Sequence, residues 1–492
     1  MKHSAFLLPM LMSCHVTQAQ VGNYSLNAST AMRLLDDGSG GSLLAIERRF
    51  GYDSAYVELL HADAGWNSTS ITAYRFVPHL YYLFDAAKLS SGPLISGLLP
   101  NASQSSLLHL NNDGSLAWSV TIGGMDGYQR RFPKVFASGD DFVAYSNTDG
   151  FFSDLFYRLE GDATGTTWSA QEISTNDDVP SRFYNGVATG TIGEHVLVGS
   201  RRNNTDAQAL LARVNGSGVQ WMKQYQLDSP DIEDEEAMDV VDLGNDEYAC
   251  VMKMNDGNGT FATLVMRFDG TGSPIWTTKL TDPGGLYGFA LTNLNDGGLL
   301  VSATTGSTLR LMRLSATGSL LWAKSCTTCF GGITSFRRLD SGKLLGVSAA
   351  RLYEFTEDGT ACDLDAITTV TAVPFAPVVT SLLATMTAAT LTATQVPVLD
   401  RLPVNALSTT CVLSGVSEIP GSQMNTAWPT PTSGDVRIDG AHDGDLYRVR
   451  AVDGRTVLHG SYRDGINLGG LTAGSYIIDL PSRGLRARVL RQ

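Results

Sequence analysis

Residues 228 to 239 read D-S-P-D-I-E-D-E-E-A-M-D, the densest run of chemistry-bearing side chains in the sequence. Asp231, Glu233, Asp234 and Glu235 are calcium candidates, because a hard cation wants several carboxylate oxygens. The D-x-D-x-D-G spacing of a calcium loop is missing, so the stretch reads first as a solvated acidic loop. Calcium is the one cofactor that any residue pattern suggests. Cys326-Thr-Thr-Cys329 could do redox chemistry, bind zinc or form a local disulfide. A redox role needs a thioredoxin-like helix start and zinc needs a second ligand pair, and neither is present. A disulfide is therefore expected there, and a second one between Cys362 and Cys411. Cys250 is expected to be a buried thiol. Histidines are few, and no H-E-x-x-H, G-x-S-x-G or P-loop occurs. No catalytic constellation is recognisable.

The elements that would position such residues show in a recurrent tryptophan. D-A-G-W ends at Trp66, N-D-G-S-L-A-W at Trp118, A-T-G-T-T-W at Trp168, N-G-S-G-V-Q-W at Trp221, G-T-G-S-P-I-W at Trp276 and A-T-G-S-L-L-W at Trp322. Successive intervals are 52, 50, 53, 55 and 46 residues. Within residues 286 to 326, four apolar runs (289–294, 299–303, 308–314 and 320–324) are split by N-D-G-G, T-T-G-S and S-A-T-G. Glycine accepts positive φ in such turns, so each unit predicts a four-stranded antiparallel meander. Units of this length and strand number are the mark of a β-propeller. Six tryptophan-ended copies and one ending near Cys362 suggest seven blades. Six or eight stay open, because the second unit is irregular and residues 365–415 can add a closing strand.

Blades fan outward, and an indole can fill the widening gap near the turn between the third and fourth strands. Burying ~150–250 Å² of indole at ~25 cal/mol/Å² contributes roughly 4–6 kcal/mol. The tryptophans are therefore read as packing groups rather than sugar-stacking platforms. A sialidase Asp-box reading fails, since Asp162-Ala-Thr-Gly-Thr-Thr-Trp168 carries an extra residue and lacks the leading serine.

Apolar residues make up 43% of the 492-residue chain and charged residues 17%, enough for a substantial core. The net charge of −14 argues against nucleic acid as a partner. Residues 1–19 read as a secretory signal peptide: Lys2, an apolar run over 5–12, and cleavage between Ala19 and Gln20. A rival reading takes Cys14 as a lipidation site. Residues 366–399 carry no charge, but three prolines and alternating threonines mark them as strands rather than a membrane span.

After a linker over 416–427 the composition changes. W-P-T-P-T-S-G (428–434), V-D-G-R-T-V (452–457), L-T-A-G-S-Y (471–476) and R-A-R-V-L-R (486–491) follow. Read alone, they are short strands split by D-G and A-G turns, a small β-sandwich. The segment resembles the type A C-terminal sorting domain of proteins exported by the type IX secretion system of Bacteroidota. Its matches are Trp428, Pro429, Pro431, Thr432 and Gly434 in the first block and Asp453 and Gly454 in the second. Gly474 and Tyr476 match the third, and Arg488, Val489 and Arg491 the last. Thr430 departs from the family's usual Asn. The resemblance implies an Ig-like sandwich, recognition by the type IX machinery, and secretion or attachment at the outer surface.

The expected domains are thus a signal peptide (1–19), propeller repeats (20–364), Thr-rich strands (365–415), the linker, and the sorting domain (428–492). Two functions stay open: a noncatalytic module binding a glycan, polymer or protein, favoured here, and an extracellular hydrolase or lyase acting on polysaccharide.

Overall fold

The computed structural model describes residues 21–491, apart from 26–28, 37–41, 50–54, 63–67, 77–81, 99–104, 114, 125–129, 149–155, 176–178, 180, 204–205, 227–234, 256–259, 340–341, 349–350, 362–363, 396–397, 403–407, 414–426, 429–431, 439, 452–455 and 481–484. The chain divides into two compact units, Ala19–Ser414 and Gly415–Gln492, the latter grouped with Met1–Gln18.

The first unit is a β-propeller. Its described residues form seven five-stranded antiparallel sheets, numbered here along the chain. Sheet 6 shows the plan: Tyr287–Asn293, Leu299–Thr305, Thr308–Leu314 and Leu320–Phe330 pair in sequence as a meander. Leu299 to Ala303 are all buried, as expected for a strand covered on both faces. Sheets 1 to 5 start at Ser29–Asp36, Tyr82–Lys88, Arg130–Ser138, Ser181–Ala188 and Glu236–Gly244. Sheet 7 takes three strands, Ser335–Arg338, Leu344–Val347 and Arg351–Phe355, and its fourth, Val21–Ser25, comes from the start of the chain. First strands pack against first strands all the way round, and Ser335–Arg338 of sheet 7 meets Ser29–Asp36 of sheet 1. There the Arg337 guanidinium donates to the Leu35 carbonyl at 2.7 Å.

The fifth strands come from the Thr-rich segment. Asp365–Ile367, Thr371–Pro374, Val378–Leu382, Ala384–Ala389, Leu391–Gln395, Val398–Leu402 and Ser408–Leu413 join sheets 6, 5, 4, 3, 2, 1 and 7 in that order. The chain therefore retraces the ring backwards as a belt. The four-stranded units read from the sequence each gain an outer strand, rather than one unit gaining a closing strand. The chemistry fits: a sheet edge presents unpaired N–H and C=O groups that invite aggregation unless covered. The belt strands, three to six residues each, supply those backbone partners, and Thr and Ala dominate the two that cover sheets 3 and 2. Thr371 and Thr385 add hydroxyl contacts to Thr281 (2.7 Å) and Ser174 (3.2 Å).

In the second unit, Ala427–Trp428, Asp435–Ile438 and Ile466–Asn467 form one small sheet. Thr456–Ser461, Leu446–Ala451, Gly474–Leu480 and Leu485–Arg491 form another. Val436 and Ile438 from the first share a core with Val449, Tyr476, Ile478 and Val489 from the second.

Candidate functional site

The recurrent tryptophans bind the sheets to one another, and the register explains how. Trp118, Trp221, Trp276 and Trp322 lie opposite His109, Arg213, Arg267 and Arg313, each one step from a β-bulge. The bulge aims the indole at the following sheet. Trp118 Nε1 donates to Ala163 O (2.7 Å), Trp221 Nε1 to Gly270 O (2.8 Å) and Trp276 Nε1 to Ala316 O (3.0 Å). Each acceptor lies in the third-to-fourth strand turn of the next sheet. Gly318 in the turn after Ala316 has φ +82°, and a Cβ there would stand 2.7 Å from the Trp276 ring. Turn, glycine and tryptophan recur together because the glycine of one sheet makes room for the indole of the sheet before it.

Arginines reinforce two of these acceptors and reach a third turn in the same way, and sequence reasoning missed them. Arg213 donates to Gly270 O at 2.9 Å while pairing with Glu194 and Asp246 (2.7 and 2.8 Å). Arg267 donates to Ala316 O at 3.2 Å and Arg313 to Glu357 O at 3.3 Å. The available signal was an arginine two residues before each turn: R-V-N, R-F-D, R-L-S.

Between sheets 3 and 4 this arrangement changes. The Phe156–Asp162 and Trp168–Thr175 pair has no bulge, so Trp168 lies opposite Gly161 and Ser169 opposite Glu160. A one-residue slip turns a strand's side chains to the other face. The Trp168 ring accordingly packs back toward sheet 2, edge-on to Trp118 and Phe142 at 5.5 Å each. Its Nε1 donates to Gly165 of its own turn at 2.9 Å. Trp168 was expected in phase with the other copies and is not. Glu160 and Ser169 hold the positions that Arg267 and Trp276 hold in sheet 5.

A cavity of about 370 Å³ opens at this junction. Phe136, Val143 and Ile192 supply apolar surface, Ser138, Thr167 and Ser169 hydroxyls, and Asp141, Glu160 and Asp162 carboxylates. Arg158 is fully buried, forms an ion pair with Glu160, and donates to Gln171 Oε1 (3.2 Å) and Gly193 O (3.3 Å). His195 stacks on Phe136 at 4.0 Å between ring centres, with Nδ1 3.1 Å from the Tyr145 hydroxyl. Burial, then the nearby Arg158 charge, pushes the imidazole pKa down to about 3. Burial likewise raises that of Tyr145. Thr164 hydrogen bonds hold the Asp162 carboxyl below its usual range. The site thus offers fixed acceptors and an apolar wall, with a neutral imidazole.

Of the calcium candidates, Asp231, Glu233 and Asp234 lie outside the described residues. Glu235 is buried and its amide donates to Ala207 O at 2.7 Å. Among the described residues no group of three metal-ligating side chains occurs. Cys326 and Cys329 are joined by a disulfide, and Cys250 is a buried free thiol. Cys362, the Cys411 side chain, Trp66, Ala19 and Gln20 lie outside what is described, though the Cys411 backbone pairs with Asn23.

Several sorting-motif positions meet in the second unit. Thr432 N donates to Leu490 O (2.8 Å), and its hydroxyl accepts from Gly434 N (3.2 Å). Arg491 donates to Leu468 O and Gly469 O (3.2 and 3.1 Å). Gly474 faces Arg491 across the final strand pair. The Tyr476 hydroxyl donates to Thr472 O at 2.7 Å. Val489 is buried and Arg488, exposed, donates to Ser475 Oγ at 3.0 Å. Trp428 is described by its backbone alone; Pro429, Pro431, Asp453 and Gly454 lie outside.

No protein-family model and no curated protein matches the chain. Among solved structures it is similar to hydrazine synthase of Kuenenia stuttgartiensis (10% identity, 73% of this chain and 99% of that one, TM-score 0.46). It is also similar to Drosophila Semaphorin 1b, extracellular domains 1–2 (10%, 68% and 86%, 0.39). A third is a subtype N11 neuraminidase-like protein of A/flat-faced bat/Peru/033/2010 (8%, 69% and 94%, 0.36). No helix among the described residues is long and apolar enough to cross a membrane.

Proposed function

We propose that this chain is a seven-bladed β-propeller exported by the type IX secretion system, which binds a glycan, polymer or protein outside the cell. Its C-terminal unit is the Ig-like sorting domain. The observation that carries the binding reading is the cavity between sheets 3 and 4. It combines apolar wall, hydroxyls and carboxylates on a rigid frame, as ligand pockets do. A general base works best with a pKa near the operating pH, and His195, at about 3, is far from it. That removes His195 as a general base and leaves Asp141, Glu160 and Asp162 as the groups a hydrolase would have to use.

Export rests on the sorting motif. Its terminal strand and first block meet in one small sandwich, a compact object for a secretion receptor to recognise. Deleting residues 428–492 should leave the protein in the periplasm of a type IX-competent host, and fusing them to a periplasmic reporter should send it out. For binding, the purified ring is screened on glycan and polymer arrays alongside a degradation assay. Retention without product release is expected; release of soluble fragments by the protein alone overturns the noncatalytic reading.

A further inference from the structure

We propose that the cavity between sheets 3 and 4 is the ligand site and that it takes a planar aromatic group carrying a positive charge. The size argument is internal to the molecule. The corresponding gaps after sheets 2, 4 and 5 are each filled by an indole hydrogen-bonded to the next turn. After sheet 3 the residue at the indole's register position is Ser169, and the gap stays open to about 370 Å³. A flat ring of indole size is the shape this gap accommodates elsewhere in the ring.

The charge argument comes from what else changed at the junction. Glu160 stands where Arg213, Arg267 and Arg313 stand, and Asp141 and Asp162 also line the opening. Glu160 pairs with the buried guanidinium of Arg158, and Asp141 and Asp162 add two more carboxylates to the lining. The wall is therefore apolar and the rim negative. A cation with an aromatic body meets both, and an anion meets repulsion in partly desolvated surroundings. Ile192, 89% exposed, extends the apolar surface at the mouth.

The proposal rests on the ring being a binding module, and the test separates the two. Tryptamine is titrated into the full-length protein and compared with indole-3-acetate, by calorimetry or ligand-observed NMR. Tryptamine should bind at least tenfold more tightly. Ser169→Trp places an indole at the register position used by sheets 2, 4, 5 and 6, and should weaken tryptamine binding at least tenfold. Asp141→Asn, at the exposed start of a strand, tests the charge without filling the cavity and should narrow the gap between cation and anion about threefold. Equal affinity for the two indoles overturns the charge assignment. Unchanged tryptamine binding in folded Ser169→Trp overturns the site. If Ser169→Trp fails to fold, unchanged cation preference in Asp141→Asn decides against the proposal. A protein that keeps its array ligand in Ser169→Trp defeats this site and leaves the binding reading standing.

Discussion

The junctions after sheet 5 and after sheet 3 begin from nearly the same sequence and end as opposites. D-G-T-G-S-P-I-W places Trp276 opposite Arg267 and locks it to Ala316. D-A-T-G-T-T-W places Trp168 opposite Gly161 and turns it away, against Trp118. The chemical difference is one residue of loop and one missing bulge. Propeller sheets tolerate this because their backbone pairing continues either way, and only the side-chain phase moves. The same residue type is thus a fastener between sheets at one junction and a neighbour's packing partner at another, where the space it leaves becomes a cavity.

The sharpest way to break that contrast is to truncate the same register position in both places. Trp276 is half-buried, so Trp276→Ala should lower unfolding free energy by about 2–4 kcal/mol, at or below the usual cost for a fully buried large side chain. Ser169→Ala should change it by no more than about 0.5 kcal/mol. Denaturant melts with unchanged slope would measure both. A loss below about 1 kcal/mol for Trp276→Ala would sink the view that these indoles hold adjacent sheets together.

Acid should weaken the open junction next. His195 is neutral when folded, its pKa depressed from 6.5 to about 3, and it is 3% exposed. The unfolded chain therefore gains a proton that the folded one refuses as pH drops below 6.5. Its contribution is fully present above pH 6.5 and is lost progressively down to about 3, amounting to about 2 kcal/mol by pH 5. His195→Gln should flatten stability between pH 7 and 5 by that amount; an identical pH profile in the variant would remove His195 as the cause.

A smaller effect separates indole contact from backbone strain. Gly318 and Gly139 both have positive φ, +82° and +66°, but only Gly318 has a ring against it. Alanine at Gly139 should cost about 1 kcal/mol from the left-handed conformation alone. Alanine at Gly318 should cost about 2–3 kcal/mol, since either the indole or the turn must also shift. Equal losses would mean the glycine serves the turn and not the tryptophan.

The sequence carried the repeat plan well and its register poorly, for a physical reason. The four apolar runs of 286 to 326 fall on the four strands of sheet 6, because turn glycines and two-sided burial are local signals. The phase of Trp168 is not local. Gly165 to Trp168 and Gly218 to Trp221 have the same spacing, yet Trp221 follows a two-residue turn with a bulge and Trp168 a longer turn without one. Identical spacing gives opposite faces, so the cavity could not be read in advance. The belt was legible as strands, from its alternating threonines, but nothing in T-M-T-A-A-T names a partner two hundred residues earlier. Nor does Val21–Ser25 announce that it completes sheet 7. The second unit was readable as a set of strands, because its described motif residues make short-range contacts and one terminal pairing.

The least costly perturbation is also the most informative about the contrast. Exchanging two neighbours, Trp168→Ser together with Ser169→Trp, moves the indole one register step and leaves the rest of the strand in place. The indole would then lie opposite Glu160 and swing toward sheet 4. It would gain contacts with Phe136 and Val143 and lose the edge-on packing against Trp118 and Phe142. These terms are similar in size and opposite in sign, so stability should stay within about 1 kcal/mol of the parent. The cavity should close, taking tryptamine binding with it, and Trp118 fluorescence should change as its neighbouring ring departs. A loss above about 3 kcal/mol would show that sheet 3 depends on the reversed tryptophan, making the cavity a by-product of packing between sheets 2 and 3.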